Sequence, residues 1–155
     1  MTYIFSNATN TDVAVFRVGL NYLLFETFIG NSELCYEDDL NMFLRDIPSY
    51  FSGKIVFLLM SPVLKQNQVK GLCTGEGFWD SIMWDINPKI VRLNNILRAQ
   101  VHKFSYSIID PSQFIGDYAP EHFYSDCVHP SMPGPIPSAV ANLLRNVVVN
   151  NHTVV

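Results

Sequence analysis

A run of seven residues at positions 54–60, apolar except for Lys54, constrains the fold more than any other feature of this chain. It reads Lys-Ile-Val-Phe-Leu-Leu-Met and lies between the turn residues Ser52-Gly53 and Ser61-Pro62. A near-continuous apolar run of this length is typical of a strand buried on both faces, as in a parallel sheet. Residues 12–18 have the same character and end at Gly19-Leu20-Asn21. The sequence therefore predicts two buried strands.

The segment between these strands has the periodicity of a helix. Its apolar residues recur at i, i+3, i+4 and i+7, and acidic residues precede them, where the helix dipole favours negative charge. We expect Pro48 to end this helix. A strand, a helix and a strand in this order predict a right-handed crossover between parallel strands. The apolar positions are Leu40, Phe43, Leu44 and Ile47.

The second half of the chain repeats the pattern. Asn87-Pro88 is typical of a helix start, residues 106–110 predict a third strand that Pro111 ends, and residues 130–137 predict a rigid turn before a last helix. We expect Asn94 and Asn95 to lie mostly on the outer side of the middle helix. The apolar faces comprise Ile90, Leu93, Leu97, Val101 and Phe104 in the middle helix, and Ala139, Val140, Leu143, Leu144 and Val147 in the last.

These elements predict an α/β fold with a parallel sheet, helices on both faces and a site at the carboxyl ends of the strands. A chain of 155 residues fits one domain. We expect residues 1–11 to be an N-terminal remnant, 12–149 a single domain and 150–155 a tail.

A candidate acid–base pair lies just before the last helix. In Ser125-Asp126-Cys127-Val128-His129-Pro130, a carboxylate and an imidazole are three positions apart. An imidazole must be held in one tautomer before it can take a proton from a hydroxyl, and a carboxylate on its far nitrogen does this. Asp126 and His129 have the chemistry for these roles. Two neighbouring surface residues would show the same spacing.

A candidate oxyanion donor follows the first predicted strand. Gly19 allows the backbone to turn sharply, and the side-chain amide of Asn21 is then placed to donate to a developing oxyanion. The alternative is an Asn that closes a turn or caps a helix.

The order of G-x-N after an early strand and D-x-x-H before the last helix resembles the SGNH hydrolase superfamily, the GDSL-like esterases and acyl hydrolases. The resemblance spans residues 12 to about 149. It implies a three-layer α/β/α domain of the SGNH or flavodoxin-like type that hydrolyses acyl esters through an acyl-serine intermediate. It also implies that Asn21 is an oxyanion donor, that His129 is the general base and that Asp126 orients His129.

The chain departs from the family pattern at its nucleophile. The family opens with a strand and a G-D-S motif and later has an oxyanion-hole glycine, and neither has a counterpart here; Ser6 is the one serine before residue 12. Tyr22 stands where the family usually has Asp. We do not expect Ser61 to replace the nucleophile, because a serine followed by Pro at a strand end lacks a strained elbow. The chain therefore looks like the C-terminal two-thirds of an SGNH domain, incomplete at its N-terminus and inactive alone.

Other readings stay open. The chain could be a non-catalytic pseudoenzyme that binds an acylated glycan or lipid. His122, Asp126 and His129 could instead bind a divalent metal, although the helical metalloprotease motif is absent. We expect no cofactor and no metal. The expected partner is an acyl ester of a sugar, lipid or other alcohol, and an open sheet edge could support a homodimer.

Composition and local sequence patterns bear on the binding partners and the location of the protein. A net charge of −4 with no basic run gives no reason to expect nucleic acid, and no stretch reaches the roughly 18 apolar residues of a membrane span. The first residues lack the pattern of a signal peptide. Sequons at Asn7 and Asn151 are compatible with secretion. The compartment stays open.

Overall fold

The computed structural model describes residues 7–19, 22, 32–61, 86–112 and 133–150. Three strands and three long helices alternate along this part of the chain. In chain order the elements are β1 (Val13–Phe16), α1 (Ser32–Asp46), a 3-10 turn (Ile47–Ser49), β2 (Lys54–Leu58), α2 (Ile86–Lys103), β3 (Ser107–Ile109) and α3 (Pro135–Asn150).

The described strands form one parallel sheet in the order β1-β2-β3. The first ladder runs from Val13 opposite Lys54 to Phe16 opposite Phe57, and the second pairs residues 56–58 with β3. The parallel arrangement predicted from the buried runs is confirmed. Each strand is shorter than the stretch predicted for it from the sequence.

One face of the sheet carries α1 and α2. Ile55, Phe57 and Leu59 alternate onto this face and pack with the buried residues of both helices. Phe57 is fully buried and lies 5.7 Å from the ring of Phe16, which itself meets Phe43 of α1 edge to face at 5.2 Å. The predicted apolar positions are buried here: Leu40, Leu44 and Ile47 from the first helical segment, and Ile90, Leu93, Leu97 and Val101 from α2.

The opposite face of the sheet carries α3. Val56 and Ile109 pack with Val147 of this helix in a separate small core. The Lys54 ammonium donates to the carbonyl of Val147 at 2.7 Å, and a positive charge near the last turn of a helix is favourable. The chain therefore has the predicted three layers. Val15 is 43% exposed on its strand, so the prediction of a fully buried first strand was wrong at this position.

Three boundaries differ from the sequence predictions. Helix α2 begins at Ile86, so Asn87, predicted as the residue before the helix, lies in its first turn. Pro48 lies inside the 3-10 turn that follows α1. Helix α3 begins at Pro135, within the predicted rigid turn, because the first turn of a helix tolerates residues that lack an amide hydrogen. Within the described ranges, no helix combines the length and hydrophobicity that crossing a membrane requires.

Candidate functional site

The candidate site lies at the carboxyl edge of the sheet, where three parallel strands end side by side. Gly19 follows β1, Met60 and Ser61 follow β2, and Asp110 follows β3. Asn21, Asp126 and His129 lie outside the described residues. Their roles therefore remain predictions. The described residues include Gly19 and Tyr22, which lie on either side of Asn21 in the sequence.

The two residues that flank Leu20-Asn21 are in direct contact. The backbone amide of Tyr22 donates to the carbonyl of Gly19 at 3.0 Å. Gly19 has a φ of +109°, a conformation that a side chain would strain. The backbone conformation at position 19 therefore favours glycine at the start of the G-x-N motif.

Tyr22 is tied to helix α1 by its side chain. Its hydroxyl donates to the carboxylate of Asp39, and its ring lies 5.0 Å from the ring of Tyr36. Burial, followed by the hydrogen bond and charge of Asp39, raises the pKa of Tyr22 to about 12. Tyr22 is therefore a neutral donor at physiological pH, and it joins the segment after β1 to α1.

Gly19 packs closely against two buried side chains. A Cβ built on Gly19 would lie 2.9 Å from Cε of Met60 and 3.3 Å from the hydroxyl oxygen of Tyr36. Tyr36 is only 2% exposed, and its hydroxyl has no hydrogen-bond partner among the described residues. Burial raises the pKa of Tyr36, with a further contribution from Tyr22. A buried phenol that lacks a partner in the described ranges is unusual, because leaving such a donor unsatisfied costs free energy.

The end of β2 is held by a residue of α2. The Asn94 side chain donates from Nδ2 to the carbonyl of Met60 at 2.9 Å and accepts from the Met60 amide at Oδ1 at 3.0 Å. Asn94 is 6% exposed, so the prediction that it lies on the outer side of the helix was wrong; its neighbour Asn95 is exposed as expected. The two bonds pair both backbone groups of Met60, as ladder bonds pair those of residues within β2.

Asp110 at the end of β3 is engaged locally. Its Oδ1 accepts from the amide of Ser112 at 2.9 Å and from the Ser112 hydroxyl at 2.6 Å, while its Oδ2 pairs with Arg98 of α2. This carboxylate thus fixes the strand end to the helix. In the described ranges, no three His, Cys, Asp or Glu side chains are grouped so that they could hold a metal ion.

The contacts of three residues at this edge were not predicted from the sequence, although helical spacing indicates that two of them are buried. Asn94 lies four residues after Ile90 and three before Leu97, which places it on the buried stripe of α2. Tyr36 lies four residues before Leu40 and extends the stripe of α1 backward. Asp39 has no such signal, because its contact with Tyr22 joins segments that no local pattern relates.

No family model matches the chain, and no curated protein is similar to it in sequence. Solved structures do resemble it. The α/β hydrolase LAE5 from the metagenome of Lake Arreo, Spain, aligns over 88% of this chain with 11% identity and a TM-score of 0.62. The acetylxylan esterase Axe2 of Geobacillus stearothermophilus aligns over 89% with 11% identity and a TM-score of 0.62. A protein of Parabacteroides merdae, assigned as a GDSL-like lipase, aligns over 88% with 19% identity and a TM-score of 0.61.

The matched part is only a portion of these proteins. The chain spans 59% of the length of each of the three structures. Identities of 11% to 19% establish a likeness of fold. This chain therefore has the α/β fold of hydrolases that include an acetylxylan esterase and a GDSL-like lipase.

Proposed function

We propose that the chain carries the base and oxyanion-donor part of an SGNH-type serine ester hydrolase. The observation that supports this most is the Gly19–Tyr22 contact directly beyond β1. Gly19 lies beyond the end of β1 with a positive φ, which supports a sharp turn at the G-x-N motif. The fold likeness to esterases supports the same class.

The proposed chemistry uses three residues of this chain. His129 takes the proton of a serine hydroxyl as that hydroxyl attacks the acyl carbonyl, and then gives the proton to the leaving alcohol. Asp126 holds the imidazole in the required tautomer. Asn21 donates its side-chain amide to the oxyanion that forms on the carbonyl oxygen. Water then releases the acyl group from the serine by the same steps.

Contacts of the residues on either side of Asn21 in sequence support its proposed role. Tyr22 follows Asn21 and is fixed to Asp39, and Gly19 lies two residues before it against Met60. Asn94 in turn fixes the Met60 backbone. An oxyanion donor must be held in place before the charge develops, because reorganisation during the reaction would cost part of its benefit. The contacts of Gly19 and Tyr22 therefore favour a fixed position for the residue between them.

The 155-residue chain alone is proposed to be inactive toward esters. Its sequence contains no G-D-S motif, and loss of a triad nucleophile removes the covalent route. The same observation favours a second candidate, a non-catalytic module that binds an acylated glycan or lipid at the strand edge. The two candidates differ in whether bound ester is hydrolysed.

The test compares the 155-residue chain with the product of the native full-length transcript, using p-nitrophenyl acetate and an acetylated xylo-oligosaccharide. If the full-length product contains the nucleophile, we expect hydrolysis, with His129→Ala lowering kcat/KM at least about a thousandfold. Asn21→Ala should lower it about a hundredfold. The matched control is His102→Ala, because His102 is an exposed imidazole in the last turn of α2.

Imidazole added to the His129→Ala variant should restore part of the rate, since it can enter the space of the lost base. Full activity in that variant would overturn the assignment of the base. If the native protein has no nucleophile, calorimetry with acetylated and deacetylated xylo-oligosaccharide tests the second candidate. Preference for the acetylated form without turnover would support a module that binds an acylated glycan, and equal or absent binding would reject that class of ligand.

A further inference from the structure

A cavity of about 310 Å³ lies along α1 and the 3-10 turn that follows it. Its volume is at the lower end of the range for small-molecule sites, so it suits a small ligand or a single side chain. It does not include the residues proposed for ester hydrolysis. The lining residues are Asp39, Met42, Phe43, Asp46, Ile47 and Tyr50.

The cavity has an apolar lining that is partly open to solvent. Ile47 is buried and Phe43 is partly buried against the main core. Met42 and Tyr50 are 52% and 43% exposed, respectively. A thioether and an aromatic ring at an accessible surface offer polarisable contacts to a bound group.

Two carboxylates complete the lining. Asp39 and Asp46 are seven residues apart on α1, which corresponds to about 10 Å along the helix axis. The Asp39 carboxylate accepts a hydrogen bond from the hydroxyl of Tyr22. Asp46 pairs with Arg45 at 3.0 Å, but both side chains are largely exposed and such a pair is weak. The cavity is therefore apolar and negatively charged.

We propose that this cavity binds a small organic cation, of the quaternary or alkyl ammonium class. The ammonium carbons would contact the Phe43 and Tyr50 rings, and the positive charge would lie near the two carboxylates. Aromatic rings attract ammonium groups through their quadrupole, and the effect adds to charge complementarity. A neutral ligand of the same shape would gain the apolar contact alone.

Choline and 3,3-dimethylbutan-1-ol provide the probe pair, because they share one shape and differ in charge. Binding is measured on the full 155-residue chain from the amide chemical shifts of isotope-labelled protein. We expect choline to shift amides of residues 39–50 with a dissociation constant of about 1 mM. The neutral alcohol should bind at least fivefold more weakly.

Substitutions locate the binding within the cavity. Asp39→Asn and Asp46→Asn should each weaken choline binding at least threefold, and Tyr50→Leu should weaken choline more than the alcohol. Asp38→Asn is the matched control, because Asp38 is exposed on the same helix and does not line the cavity. It removes the same charge and should change the choline affinity less than 1.5-fold. Far-UV circular dichroism checks that each variant is folded.

Three results would overturn the proposal. Equal binding of choline and 3,3-dimethylbutan-1-ol would show that charge is not recognised. An effect of Asp38→Asn as large as that of Asp39→Asn would show a general response to the acidity of the helix. Absence of any shift at residues 39–50 at 20-fold excess over the expected dissociation constant would also reject the site.

Discussion

The side chain of Asn94 satisfies both backbone groups of Met60. Its Nδ2 donates to the Met60 carbonyl at 2.9 Å, and its Oδ1 accepts from the Met60 backbone amide at 3.0 Å. Asn94 thereby hydrogen-bonds the backbone just after β2, as a neighbouring strand does within the ladder. The contact joins α2 to the carboxyl edge of the sheet, next to the glycine that precedes Asn21.

Replacing Asn94 should destabilise the protein strongly. Asn94→Ala leaves the amide and the carbonyl of Met60 unpaired in a buried position, so we expect the free energy of unfolding to fall by about 2–4 kcal/mol. Urea denaturation measures the loss. Asn95→Ala is the control on the adjacent exposed position and should change stability by less than about 0.5 kcal/mol. Equal effects of the two substitutions would contradict the paired geometry.

Removing the hydroxyl of Tyr36 should stabilise the protein. The buried hydroxyl has no partner among the described residues, so Tyr36→Phe removes a polar group that lost its water without a replacement bond. We expect the free energy of unfolding to rise by about 1 kcal/mol. Tyr106→Phe is the comparison, because the Tyr106 hydroxyl donates to the carbonyl of Leu44 at 3.3 Å. It should lower stability, and a similar loss in both variants would refute the difference between the two phenols.

Stability should fall at alkaline pH in part through Tyr22. The pKa of Tyr22 is raised from 10.0 to about 12 in the folded chain, so the folded state holds this proton more tightly than the unfolded state. The stabilising contribution is present below pH 10 and is lost as the pH rises from about 10 to 12. Unfolding at pH 8, 10 and 11 should show a shallower decline for Tyr22→Phe than for the unsubstituted chain. Superimposable pH dependences would rule out this contribution.

A side chain at Gly19 should strain the backbone. At a φ of +109°, Gly19→Ala should cost about 2 kcal/mol. The contact with Met60 is the smaller part of this cost, because Cε is the flexible end of its side chain. A double-mutant cycle with Met60→Ala separates the two parts. We expect a coupling energy below about 0.5 kcal/mol, and larger coupling would assign the cost to the contact instead.

The layered fold could be predicted from the sequence because local periodicity determines it. The β-branched residues of β2 alternate onto two buried faces, and the helical stripes of α1 and α2 face the sheet as their spacing indicates. Exact boundaries were less predictable. Whether Asn87 caps a helix or lies in its first turn depends on one residue of register, and both arrangements accommodate Pro88.

The surroundings of the candidate site were predicted less well than the fold. The positive-φ conformation of Gly19 agrees with the expectation from the G-x-N motif. The contacts of Asp39 with Tyr22 and of Asn94 with Met60 join segments 17 and 34 residues apart. Such long-range pairs depend on how the helices dock on the sheet, which residue spacing alone does not fix. The roles of Asn21, Asp126 and His129 remain predictions.

We propose that Asp126 holds His129 as the base of an ester hydrolase site. The most direct test is an NMR titration of the His129 imidazole in the 155-residue chain, which needs no nucleophile and no turnover. A carboxylate within hydrogen-bonding distance favours the charged imidazole, so Asp126→Asn should lower the pKa of His129 by about 1 pH unit. The imidazole of His152 serves as the internal reference. An unchanged titration of His129 in the variant would contradict the pair and, with it, the proposed site.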